Sequence, residues 1–372
     1  MIPYGRQTIE EDDIRAVTEV LRSDWLTQGP RVTEFEQALA EYCGAKHAVA
    51  MVNGTAALQA AYFAAGFEEG DEFVTTPLTF AATASMGLWF GARPVFADID
   101  PDTGNLDPKQ VERLITEKTK AIVPVDYSGL PVDLDAFRQL AQRHRLFLIE
   151  DGCHALGASY QGRKIGSISD MTVFSFHPVK SITTGEGGAV LTNDDELAAK
   201  LSRFRMHGIT HRSPDWRYDI CCLALNYRIT DIQCALGISQ LRKLDGFIRR
   251  REEIAAAYLE DLVGVEELRL PPAAAAGACA WHLFPVRLKS DREAVFHDLR
   301  GRGIGVQVHY IPVYQHSLYR KLGYASGACP LAERFYEEEL SLPIFPTLAE
   351  RERRRVVQEL LEALASGAGK AR

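Results

Sequence analysis

A chain of 372 residues with 46% hydrophobic and 25% charged side chains has the composition of a globular protein with room for a large core. Its formal net charge of −8 excludes a general nucleic-acid binder, and the basic clusters at Arg249–Glu252 and Arg351–Arg355 read as solvated helix faces. No run approaches a membrane span, and "MIPYGRQTIEEDD" turns acidic without an apolar core, so neither a membrane anchor nor a signal peptide is expected.

In chain order, Thr8 with Glu11 gives a capping-box pattern ahead of an amphipathic run to about Leu21. "RVTEFEQALAEYCG" predicts a second helix closed by Gly44. Strand-like and helical text then alternate: "HAVAMVN" with "GTAALQAAYFAAG", "EFVTTP" with "FAATASMGLWFG", then "PVFADID", "KAIVPVDY", the helical "DLDAFRQLAQRHR" and "LFLIED". Repeated β–α units predict a mostly parallel sheet covered by helices on both faces. "MTVFSFH" and "GAVLTN" read as a hairpin with Lys180 at its hinge. A second capping box, Thr230 with Gln233, opens a helical region towards Leu262, and "PPAAAAGACA" reads as a linker or surface loop. Beyond it "WHLFPVRL", the helix "DREAVFHDLRGRG", the strand "VQVHYIP" and two more helices predict a smaller α+β domain. The expected division is a large α/β domain over 1–245 and a small one over 246–372. Seven cysteines without CxxC spacing fit free thiols in a cytoplasmic protein, and His207 and His211 lack the acid of a zinc-protease helix, so no metal is expected.

Ligands of open α/β sheets collect beyond the carboxyl ends of the strands. Gly54-Thr55-Ala56 follows a strand and opens a helix, where free N–H groups and a hydroxyl make a phosphate seat, although a threonine there can also simply cap. Asp151 closes "LFLI" and needs a cation or several donors to offset its desolvation. Three residues on, His154 reads as a packing or a site residue. Lys180 lies between apolar strands, and burial makes an amine nucleophilic towards carbonyls. Together the three features meet the needs of pyridoxal 5'-phosphate: a lysine for a Schiff base, an aspartate to keep the pyridine nitrogen protonated, and a helix terminus for the phosphate.

The stretches "LTQGPRVTEFEQALAEYCGAKHAVAMVNGTAALQAA", "TTPLTFAATASM", "IEDGCHALGASYQGRKIGS", "SFHPVKSITTGEGGAVLTN", "LNYRITDIQCALGISQL" and "VQVHYIPVYQ" resemble the DegT/DnrJ/EryC1/StrS sugar aminotransferases. The likeness covers nearly the whole chain. It implies a fold-type-I pyridoxal-phosphate transferase: a large domain with a mixed, mostly parallel sheet between helices, plus a smaller C-terminal α+β domain. The phrases "VDYSGLPVD", "DGCHALG" and "SFHPVKSITT" are most similar to the branch that aminates C4 of UDP-4-keto-6-deoxy-N-acetyl-L-altrosamine in pseudaminic acid synthesis. A sister reaction on another UDP- or dTDP-linked keto sugar stays open.

Residue by residue, the resemblance implies that Lys180 attaches the cofactor, Asp151 partners its ring nitrogen and His154 lies near its phenolic oxygen. Thr55 and Ser175 become phosphate ligands with backbone help from Gly54 and Ala56, and Phe80 stacks on the ring. Asn226 crosses a homodimer interface to the partner's phosphate, so the active sites are shared. Tyr4, Asp24, Trp25, Leu26, Thr27, Gln307, His309 and Tyr310 are implied to line the substrate pocket, with L-glutamate as amino donor. Tyr314, Tyr319 and Tyr324 suit either a sugar nucleotide or ordinary packing.

A nicotinamide-dependent oxidoreductase is the rival enzyme class. Its only glycine signature, "GRGIGV" at Gly301–Val306, follows a helix rather than a strand. A non-enzymatic relative would leave Lys180 idle, and no DNA-binding segment is apparent.

Overall fold

A strand covered on both faces carries apolar side chains at consecutive positions, and the central strands do so. The computed structural model describes residues 1–211, 216–289 and 291–365, so the end of the domain expected to reach 372 lies outside the described residues. Its main strands are β1 (His47–Met51), β2 (Glu72–Thr75), β3 (Arg93–Phe96), β4 (Thr119–Val123) and β5 (Phe147–Asp151). After a small hairpin of β6 (Ser159–Tyr160) and β7 (Arg163–Lys164) come β8 (Met171–Ser175) and β9 (Gly188–Thr192). The seven-stranded sheet has the order β1-β9-β8-β5-β4-β2-β3, and β9 alone runs against the others.

Alternate residues of one strand serve two cores. Ala48 and Ala50 of β1, Leu148 of β5 and Phe174 of β8 pack with the helices Pro30–Cys43, Leu134–His144 and Asp231–Leu241. Val49, Met51, Ile149 and Val173 face the helices Gly54–Ala64 and Asp195–Arg205 on the other side. The expected helix–sheet–helix layering is therefore present.

Beyond the sheet, β10 (Ile209–His211) pairs with β11 (Tyr218–Ile220), while β12 (Leu268–Arg269), β13 (Phe284–Leu288) and β14 (Glu339–Leu342) form an antiparallel sheet. Its core includes Ile2, whose backbone bridges Ile304. The helix Leu244–Leu262 joins the two regions: Leu244 and Ile248 pack in the first core, Ile254, Tyr258 and Leu262 in the C-terminal one. Among the described residues no helix is long and apolar enough to cross a membrane.

Three local readings need correction. The first helix is capped by Glu10 with Asp13, not by Thr8 with Glu11, because buried Asp13 is drawn to Lys243 and Gln240. The helical run from Thr230 is two helices, broken at Arg242–Lys243, where the Lys243 ammonium gathers Glu10, Asp12 and Asp13. "VQVHYIP" is extended but, among the described residues, pairs only once, Gln307 with Ser341, because the next donor on that edge, His309 N–H, goes to the Glu339 carboxylate.

Candidate active site

The carboxyl ends of β1, β5 and β8 and the start of β9 meet at one rim of the sheet. At β1, Asn53 caps the helix Gly54–Ala64, its Oδ1 accepting from Ala56 N–H at 2.8 Å. The phosphate seat is thereby narrower than expected: Ala56 N–H is already taken, and Gly54 and Thr55 keep the N–H groups that a helix start leaves free. Ser175, the last residue of β8, stands against this terminus, since a Cβ on Gly54 would come within 3.0 Å of Ser175 Cβ and 3.3 Å of its Oγ. Gly188 permits the approach of β9. A Cβ there would meet Asn53 C and O at 2.6 Å and Gly54 N at 2.7 Å.

Lys180 sits in a loop tied to itself. Lys180 N donates to His177 O at 2.9 Å, Thr184 N and Thr183 Oγ1 both donate to Phe176 O, and Phe176 N reaches Gly187 O. Gly185 turns the chain at φ +79°, a conformation glycine adopts without strain. Desolvation pulls the Lys180 ammonium below its ordinary range, against the opposing pull of Cys153 and Asp151. Among the described residues it makes no salt bridge.

Asp151 is buried at the end of β5, where Oδ2 accepts from Thr83 Oγ1 at 2.7 Å and Oδ1 from Cys153 N at 3.2 Å. Thr79 Oγ1 lies 2.8 Å from Thr83 Oγ1, so with the Thr83 hydrogen committed to Asp151, Thr79 is the donor. No cation of the chain pairs with Asp151 among the described residues; hydroxyl and amide donors hold it, leaving a buried carboxylate able to face a cationic ligand group.

His154 places Nε2 at 3.1 Å from the Tyr310 hydroxyl and leaves Nδ1 buried without a partner among the described residues. Its ring lies 4.4 Å from that of His282, whose Nδ1 is orphaned as well. Gly129 makes the room, since a Cβ there would strike His154 O at 2.8 Å and His282 N at 3.1 Å. Burial, reinforced by the nearby Lys180 charge, holds both imidazoles well below their ordinary pKa, so both are neutral. His309 and Tyr310 reach this cluster from the C-terminal region, and the Tyr4 ring lies 5.5 Å from that of His309.

The structure thus gathers Lys180, Asp151, His154, Tyr4, His309 and Tyr310, and sets Gly54, Thr55 and Ser175 together at the helix start. Phe80 is the exposed residue preceding the Thr83 helix. Gln307 is exposed beside His309, its Oε1 accepting from Val308 N. The loop Asp24, Trp25, Leu26 and Thr27 is exposed and tied elsewhere, to Thr230 and Asp231, and Asn226 is exposed on a bridge to Met206. Tyr314 and Tyr319 are buried around Phe96 with Tyr324, which settles them as packing. Thr83, Asn53, His282, Glu339 and Ser341 escaped the sequence reading. Only Asn53 carried a signal, as a capping residue type directly before the glycine that opens a helix.

A phosphate, a cationic ring nitrogen and a polar ring substituent would satisfy the free helix donors, the buried Asp151 and the orphaned His154 Nδ1 in one ligand, so the residues present fit pyridoxal phosphate. Comparison with known proteins agrees. The chain belongs to the DegT/DnrJ/EryC1/StrS aminotransferase family, whose profile matches residues 7–361. It is 44% identical over 352 residues to a UDP-4-amino-4,6-dideoxy-N-acetyl-beta-L-altrosamine transaminase of Campylobacter jejuni, covering 92% of each chain. Its structure superposes with a TM-score of 0.94 on Helicobacter pylori PseC, an aminotransferase of pseudaminic acid biosynthesis, at 38% identity over 98% of this chain and 99% of that one. It also superposes with a TM-score of 0.95 on the PMP form of the Streptococcus pneumoniae sugar aminotransferase Spr1654, described as putative, at 30% identity over 98% of this chain and 100% of that one. The expected fold-type-I architecture is borne out, and the chain is a pyridoxal-phosphate-dependent aminotransferase of nucleotide sugars.

Proposed function

We propose that this aminotransferase carries an amino group from L-glutamate to C4 of a UDP-linked 4-keto-6-deoxy sugar, UDP-4-keto-6-deoxy-N-acetyl-L-altrosamine. The observation that carries the chemistry is a desolvated Lys180, within electrostatic reach of the donor-held Asp151 and on the β8–β9 connection that leaves Ser175 beside the helix-start anion seat. The substrate reading is supported by the altrosamine transaminase that shares 44% of its residues with this chain.

When bound, pyridoxal phosphate supplies an electron sink for the carbon that carries the migrating amine. The protein would hold its phosphate with the N–H groups of Gly54 and Thr55 and the hydroxyls of Thr55 and Ser175. Lys180 would anchor it covalently, Asp151 would hold the proton on its ring nitrogen, and His154 Nδ1 would meet its phenolic oxygen. Phe80 would cover the ring.

Lys180 Nζ is the proton carrier in this account. Desolvation favours its neutral form, which would take a proton from the donor carbon as base and, once protonated, release it as acid at a second carbon. In the sugar half of the reaction the same atom acts in reverse, and the face it serves sets the stereochemistry of the new amine. Tyr4, Gln307, His309 and Tyr310 would orient the sugar nucleotide. Asn226, Trp25 and Leu26 are exposed, which suits residues that complete a site with a second copy of this chain, so a homodimer is part of the proposal.

Nitrogen-15 glutamate tests the reading. Holoenzyme given the labelled donor and the UDP-linked ketone should return a sugar with the label on C4, seen by mass and by nitrogen NMR. Label on a dTDP-linked keto sugar and none on the UDP-linked one would overturn the substrate assignment.

A further inference from the structure

His309 is held in a way that sugar orientation does not require. Its backbone N–H donates to Glu339 Oε2 at 2.7 Å, its Nδ1 lies 2.8 Å from Ser341 Oγ, and Ser341 Oγ lies 2.5 Å from Glu339 Oε1. Glu339 and Ser341 are fully buried and two positions apart on β14, hence on one face of it. Nε2 of His309 has no partner among the described residues.

Hydrogens can run along this chain in two directions, one for each state of the carboxyl. With Glu339 ionised, Ser341 donates to Oε1, its oxygen accepts from Nδ1–H, and Nε2 is a bare lone pair. With the proton on Oε1, Glu339 donates to Ser341, Ser341 donates to Nδ1, and the ring hydrogen sits on Nε2. Passing from the second state to the first releases one proton. As the Nε2 hydrogen leaves, Nδ1 takes the Ser341 hydrogen, Ser341 takes the Glu339 hydrogen, and the negative charge appears on Glu339.

We infer that Glu339, Ser341 and His309 form a buried proton relay ending at His309 Nε2, with Glu339 as the positioning residue that sets the histidine's tautomer. Arg292, Tyr127 and Tyr310 face Glu339, and Lys180, His154, His282 and Tyr4 face His309. Burial pushes Glu339 up to about 8, against the pull of Ser341, His309 N–H and Arg292. Burial and Lys180 hold His309 down to about 3, so the ring stays neutral while the carboxyl titrates. The relay turns His309 from a hydrogen-bond donor into an acceptor towards whatever binds beside it, and its use on the sugar rests on the proposed reaction.

Nitrogen-15 spectra of histidine-labelled holoenzyme test the relay without any sugar, so its failure would leave the transfer reaction standing. His309 is assigned by the signals lost in His309→Asn. The ring hydrogen should move from Nε2 to Nδ1 as the pH rises, with a midpoint at about 8. Glu339→Gln should lock one tautomer at every pH. Ser341→Ala keeps the backbone pairing with Gln307 but cuts the chain, and should make the tautomer insensitive to pH. A wild-type ring that never switches, or one that still switches in Ser341→Ala, overturns the relay, and the serine variant decides alone if Glu339→Gln does not fold.

Discussion

Thr83 shows how a single hydroxyl can govern a charged group. It donates to Asp151 Oδ2 at 2.7 Å in a buried setting where a hydrogen bond to an ionised group is worth about 1.5–3 kcal/mol. Thr83→Val keeps the shape and removes that donor, so kcat should fall by about 10-fold to 100-fold, with steady-state kinetics as the check. Asp151→Asn removes the charge itself and should lose at least as much, about 10²–10³-fold. An unchanged rate in Thr83→Val would mean that Cys153 N–H alone orients the carboxylate. Asp151, His154 and Lys180 could be read from the sequence because each is a polar residue set against an apolar strand. Thr83 could not, since a threonine among "FAATASM" reads as helix core, and only the fold turns it towards Asp151.

At the scale of elements, the start of β9 and the helix that follows β1 act as one device. Gly188 lets the two backbones touch, which sets β9 directly against the helix start and the N–H groups it leaves free. Gly188→Ala forces the Asn53–Gly54 backbone to move, and should cost about 1–3 kcal/mol of stability and weaken cofactor binding with it. Thermal denaturation and cofactor titration of the same variant check both. Wild-type stability with wild-type affinity would show that the rim can yield without harm. The strands were legible because burial on both faces makes them continuous apolar runs. "VQVHYIP" read equally well as a strand, yet its ladder stops where a side-chain carboxylate takes a backbone donor, and no local pattern records that choice. Glu339 itself follows two other acids in "FYEEELSLP" and resembles the end of a solvated helix, although the fold buries it completely.

Across the whole molecule, the C-terminal region completes a site that the large sheet begins. Buried Arg251, on the helix that joins the two regions, ties that helix to the C-terminal one, its guanidinium donating to the carbonyls of Trp281 at 3.1 Å and Ile344 at 2.9 Å. The buried titratable groups give this assembly a pH signature. Glu339 titrates at about 8 when folded against an ordinary 4.5, so between those values the folded chain holds a proton that the unfolded chain has shed. Its contribution to stability therefore falls as pH rises through that window and is level above it. His309 acts oppositely: held at about 3 against 6.5, it lowers stability as pH falls below 6.5. Between about 6.5 and 8, then, Glu339 acts alone of the two. Urea denaturation should show wild type losing stability relative to Glu339→Gln across that interval, and parallel curves would contradict a protonated Glu339.

The most direct measurement is the visible spectrum of the holoenzyme during the two half-reactions. Glutamate should discharge the yellow of the resting enzyme, and the UDP-linked 4-keto sugar, added after the donor is removed, should restore it. In Lys180→Ala neither change should occur at more than about a thousandth of the wild-type rate, with the cofactor still retained through the phosphate seat. Both changes at full speed in Lys180→Ala would contradict the account at its centre.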